Sequence, residues 1–221
     1  MSNGDNQGSI SAIGEAAILR LDALNGARER ALAEARQVVR LSANAVRAVH
    51  RGEFDAARDL LEQALALHGG LARNQTEFPS IYWSGYVQDA QKEYAEARIT
   101  LGVISGGEIP DPRELNVGEA VYLNGLGEAA GELRRHALDT IRHGDLTHAE
   151  DILGVMDEIY GVLVSVDYPD AVTGGLRRTT DMVRGVLERT RGDVTLALRQ
   201  HQLTEALSRV ERLRPSDAPV D

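Results

Sequence analysis

The sequence predicts an all-α protein of six or seven long helices packed as an antiparallel bundle. Three observations carry that reading. Apolar residues recur at spacings of three and four over long stretches. No alternating strand pattern stands out; the β-branched run Gly161–Val166 continues a helical period. All six prolines fall at the edges of the periodic segments.

Each element follows from its own residues. Residues 1–9, polar and glycine-containing, are expected to be a disordered tail. From Ile10 to His50 the apolar positions Ile13, Ala17, Leu21, Leu24, Ala31, Ala35, Val38, Val46 and Val49 define one helical face. The run RGEF at 51–54 is a turn, and a second helix covers 53–68, with Gly69-Gly70 as its stop. Pro79 suits a first helical turn and opens a third helix to about residue 103. The stretch 105–114, SGGEIPDPRE, reads as a loop. A fourth helix spans 115–143 and ends at Gly144; Asp145 can cap a fifth, running to 165. After VDYPD a last helix covers 170–213, and 214–221 is a polar tail. The domain expectation is thus one helical domain, 10–213, between two tails.

Composition narrows the functional classes. The chain has 221 residues and no cysteine, which excludes disulfides, zinc–thiolate sites and thiol catalysis. Aromatics make up 4%, so the core must be built from Ala, Leu, Val and Ile. No apolar run has the length of a membrane span, and the N-terminus lacks a secretory signal pattern. A cytoplasmic protein without membrane partners is expected. The net charge of −10 argues against indiscriminate binding of nucleic acid. Yet residues 28–51 hold six arginines against two glutamates.

Four of those arginines, Arg36, Arg40, Arg47 and Arg51, are spaced 4, 7 and 4, which places them on one stripe of a helix. A planar guanidinium fork suits phosphate oxygens. A solvated face paired with acids is the competing explanation. Arg177, Asp181, Arg184 and Glu188 alternate in sign at helical spacing and are expected to form ion pairs along the last helix. Among the six histidines no metal-ligand spacing is visible, although His136 follows Glu132 by four residues.

The most informative residues are four glutamates. Glu93 and Glu96 sit in QKEYAEA, Glu128 and Glu132 in GEAAGELRRH. Each pair points two carboxylates from one helix face. If the two helices are neighbours, four carboxylates converge, a donor set that hard divalent cations such as magnesium or manganese prefer. Spacing alone also fits solvated helix surfaces.

The stretches RERALAEARQVVRLSANAVRAVHRGEFDAARDLL, IYWSGYVQDAQKEYAEA, ELNVGEAVYLNGLGEAAGELRRHALDTIRHGD, MDEIYGVL and LRRTTDMVRGVLERTRGD, taken in order, resemble the translin family over roughly residues 20–205. The resemblance implies an all-α fold, a hollow homo-oligomer, typically an octamer, and binding of single-stranded RNA or DNA. The family has two branches. One, translin proper, binds nucleic acid without catalysis. The other, resembling translin-associated factor X (Trax), carries a magnesium-dependent endoribonuclease site of acidic residues. Its E-Y-x-E-A and D-x-x-G-E-L motifs fall on Glu93, Glu96, Glu128 and Glu132. This chain has Glu128 where the nuclease branch usually has Asp and translin proper an apolar residue. The implied cofactor is Mg2+ or Mn2+, and the implied partner is single-stranded RNA, with single-stranded DNA as an alternative. The four-acid pattern places the chain nearer the nuclease branch.

Overall fold

The structure, a computed structural model, describes residues 4–213, with side chains from 10 to 212. Every regular element among them is a helix: α1 Gly4–His50, α2 Phe54–Glu77, α3 Pro79–Tyr82, α4 Gly85–Ser105, α5 Glu119–Arg142, α6 Leu146–Ser165, α7 Asp170–Thr173 and α8 Leu176–Leu213. Six are long and two are single turns. The chain gathers into two compact units, Met1–Gly125 and Leu126–Asp221, and α5 runs unbroken across the division. No helix is long and apolar enough to cross a membrane.

In the first unit α1 packs against α2 and α4. Its buried positions, Ala27, Ala31, Ala35, Val38, Ser42, Ala45 and Val49, recur at spacings of three and four. Most are small, so the facing helices can approach closely. The turn Arg51–Glu53, with Gly52 at φ 74°, reverses the chain into α2. The α2 stripe is Ala57, Leu61, Ala64, His68 and Leu71. In the second unit α6 packs on α8 through Ala149, Ile152, Met156, Ile159 and Leu163. The opposing residues on α8 include Val183, Val186, Leu187 and Val194. Asp145 caps α6 as expected, its carboxylate accepting from the His148 amide at 3.0 Å.

Several boundaries differ from the sequence reading, each for a physical reason. The boundary drawn at residue 9 lies inside α1, which begins at Gly4. The tail drawn at 214–221 lies outside the described residues. Gly69-Gly70 does not stop α2, which continues to Glu77. Two glycines in a helix interior cost about 2 kcal/mol together. Burial of Leu71, the next residue, offsets a comparable amount. A Cβ on Gly70 would stand 2.7 Å from the Glu34 carboxylate of α1, the end of a flexible side chain that can swing aside. The helix expected over 79–103 breaks at Trp83-Ser84. There Ser84 Oγ donates to the Ile81 carbonyl at 2.6 Å, and Gln88 donates to the Tyr82 carbonyl at 2.8 Å. The last helix likewise loses its first turns to α7, because Gly174 and Gly175 take positive φ values of 61° and 82°. The fourth helix starts at Glu119, after Asn116 enters the left-handed region at φ 52°.

The ion pairs of α8 are also redistributed. Glu188 pairs with Arg191 at 2.8 Å, and Arg191 reaches Asp157 of α6 at 2.8 Å. Arg177, Asp181 and Arg184 form no ion pair among the described residues. Arg134 of α5 joins Asp193 of α8 at 2.9 Å.

Gly102, near the end of α4, is a close-packed point of the first unit. A Cβ there would meet the Glu108 carbonyl oxygen at 2.5 Å. Gly102→Ala is expected to lower unfolding free energy by about 1–3 kcal/mol through overpacking. Urea denaturation checks this; an unchanged midpoint would show that the 105–114 loop yields freely.

Candidate metal centre

The site is built on α4 and α5. On α4 the buried residues Gln91, Tyr94 and Ala95 face the core, which leaves Glu93 and Glu96 half-buried on the adjoining face. Tyr94, between the two acids, is locked in place. Its ring stacks on His68 of α2 with centroids 5.3 Å apart, and its hydroxyl accepts from Arg98 Nη1 at 3.2 Å. The Arg98 guanidinium lies 5.9 Å from the same ring. The two glutamates therefore stand on a helix turn whose rotation about its axis is fixed by a buried aromatic.

The approach of α5 depends on glycine. A Cβ on Gly125 would lie 2.9 Å from the Lys92 carbonyl oxygen, 3.1 Å from Ala95 Cβ and 3.2 Å from the Glu96 amide nitrogen. The backbone of α5 thus rests directly on the turn that bears Glu93 and Glu96. Glu128 follows Gly125 by three residues and so lies on the same side of α5. Glu93, Glu96 and Glu128 each offer a carboxylate oxygen, all within 4.8 Å of one another, and all three residues are half-buried. They are the one such group among the described residues. Oxygens bound octahedrally at about 2.1 Å stand about 3 Å apart at right angles and about 4.2 Å apart across the ion. The observed spread of up to 4.8 Å exceeds the longer of those values by about 0.6 Å, and an all-oxygen donor set is the chemistry that suits a hard divalent cation.

Glu132 falls outside this group. It lies one turn beyond Glu128, half-buried, with Oε2 3.9 Å from Arg135 Nη1. The arginines divide similarly. Arg36, Arg40 and Arg47 are exposed on α1, Arg47 donating to Asn44 Oδ1 at 2.6 Å. Arg51 lies past the end of the helix, where its guanidinium grips Glu53 with bonds of 2.6 and 2.9 Å. That contact raises the Arg51 pKa and lowers that of Glu53. The sequence reading overlooked Gly125 and His68. The glycine was visible in NGLGEAAGEL, but its role is legible only once a neighbour occupies the missing Cβ's place.

Carboxylates converging from two packed helices define a helical protein with a candidate divalent-cation centre. No protein-family model matches the chain. An uncharacterized protein of Methanocaldococcus jannaschii is 32% identical over 186 residues, 83% of this chain and 82% of that one. Among solved structures, AfC3PO and its complex with duplex RNA each match at 35% identity and a TM-score of 0.76, covering 83% of this chain and 95% of theirs. Apo-NeC3PO shares the fold at 21% identity and a TM-score of 0.73, covering 89% of this chain and 98% of that one. The chain belongs to the translin/C3PO family.

His68 gives the site's scaffold a measurable pH dependence. It is fully buried, neither ring nitrogen has a hydrogen-bond partner among the described residues, and desolvation lowers its pKa to about 4. Above pH 6.5 the ring is neutral both folded and unfolded. Below that, the unfolded chain takes up the proton first, so stability falls until about pH 4, by roughly 3 kcal/mol in total. His68→Phe is expected to flatten that part of the stability–pH curve. Equal slopes between pH 6.5 and 4 in both proteins would show that His68 is not the titrating group.

Proposed function

We propose that the protein is a divalent-metal-dependent endoribonuclease of the Trax-like kind, acting on single-stranded RNA within a closed homo-oligomer in the cytoplasm. The observation that carries this reading is the convergence of Glu93, Glu96 and Glu128 within 4.8 Å. Glu132, the fourth acid of the motif, is assigned to the same centre by resemblance. These residues would hold Mg2+ or Mn2+. Such an ion supplies a bound water of lowered pKa and neutralises charge on the phosphoryl oxygens. With one or two carboxylates used as ligands, the others would orient water or take its proton. Glu in place of Asp at 128 lengthens the side chain by one methylene and keeps the charge.

The exposed arginines Arg36, Arg40 and Arg47 are proposed to carry the RNA backbone, with Arg51 at the edge of the stripe, its fork shared with Glu53. A related protein, AfC3PO, has been solved in complex with duplex RNA. Duplex RNA and single-stranded DNA therefore belong in the same assays. Oligomerisation, proposed as an octamer, is supported by apolar side chains left exposed on the first turns of α1 and the last of α8. Ile10, Ile13, Leu19 and Leu21 are among them, as are Leu196, Leu203, Leu207 and Val210.

The test is RNA cleavage with Mg2+, Mn2+ or EDTA. Cleavage is expected with either metal and none with EDTA. Glu128→Gln should lose about a hundredfold or more in rate while binding RNA as before. No metal-dependent cleavage by the wild-type protein would favour the reading of translin proper, nucleic-acid binding without catalysis.

Arg36→Ala with Arg40→Ala is expected to weaken RNA binding to a similar degree for all sequences and to flatten its salt dependence by about two phosphate contacts. Filter binding across a salt series checks this; unchanged affinity would make the stripe a solvated face.

A further inference from the structure

Away from the carboxylates, the second unit brings together two histidines that sequence spacing keeps apart. His136 lies on α5 and His148 on α6, joined through the turn at Gly144. Both are half-buried. Their rings meet edge to face at 83° with centroids 5.5 Å apart. Their Nε2 atoms stand 3.4 Å from each other. The Asp145 carboxylate, accepting from the His148 amide, fixes the start of the helix that presents His148.

That separation is long for a hydrogen bond, in which nitrogen donors usually approach to about 2.9–3.0 Å. It matches a shared metal. Two imidazole nitrogens, each about 2.0–2.1 Å from a tetrahedral zinc ion, stand about 3.4 Å apart. Imidazole suits zinc, copper and nickel, whereas magnesium takes oxygen ligands.

We propose that His136 and His148 form a second metal site, for a divalent transition metal of the zinc class, distinct in ligand chemistry from the glutamate centre. Each neutral ring carries one proton. A ring that holds it on Nε2 transfers it through solvent to Nδ1, so both Nε2 lone pairs become ligands and no net proton is released. Two tetrahedral positions remain for water or an oxygen ligand. Occupation clasps α5 to α6 and stabilises the folded chain.

The experiment is a Zn2+ titration of the full chain, read by calorimetry and by long-range proton–nitrogen spectra of the histidine rings. Zinc is expected to shift the Nε2 signals of His136 and His148 together, while Mg2+ leaves them in place. One equivalent of zinc should be lost in His136→Gln and in His148→Gln and kept in Glu128→Gln. Ring signals that do not respond to zinc, or the same zinc stoichiometry in both histidine variants as in wild type, would overturn the proposal. The wild-type spectra decide the matter even if a variant fails to fold.

Discussion

The close approach of α5 to α4 at Gly125 is the constraint on which the proposed site depends. A side chain there would collide with the backbone of the turn that carries Glu93 and Glu96. Glycine inside a helix costs about 1 kcal/mol relative to alanine. Here that cost is offset by a contact that lets Glu128 join the two acids of α4. The other determinant is the Tyr94–His68 stack, which sets the rotation of α4. Small residues at one helix contact and a buried aromatic at another thus fix where the carboxylates stand.

Three half-buried carboxylates within 4.8 Å repel one another, and an acidic protein repels a polyanion. Under the proposed function a divalent cation would relieve the first difficulty, and local positive charge would address the second. The exposed arginines of α1 concentrate positive charge in a chain that is negative as a whole. Under the proposed function binding and catalysis would rest on separate elements, since the exposed arginines lie on α1 and the glutamates on α4 and α5.

Much of the helical layout was legible in the sequence because period and small-residue stripes survive in the structure. Ala31, Ala35, Val38 and Val49 are buried as their spacing requires. What was not legible depends on partners in space. Gly69-Gly70 reads as a stop until Leu71 and Glu34 are seen packed around it. Arg51 reads as the end of a helical stripe until the chain turns and Glu53 takes its guanidinium. The glutamate pairs were visible as pairs, but the membership of the cluster depended on where α5 touches α4. His148 carried no signal, since its meeting with His136 is made by the turn between α5 and α6.

Under the proposed function Glu93, Glu96 and Glu128 together hold a divalent cation. Mn2+ binding, followed by loss of the free-ion signal in electron paramagnetic resonance, tests it without reference to any substrate. A saturable site is expected, one per chain, that Mg2+ displaces and that Glu96→Gln removes while the helical content is unchanged. Equal Mn2+ binding by wild type and Glu96→Gln would contradict it.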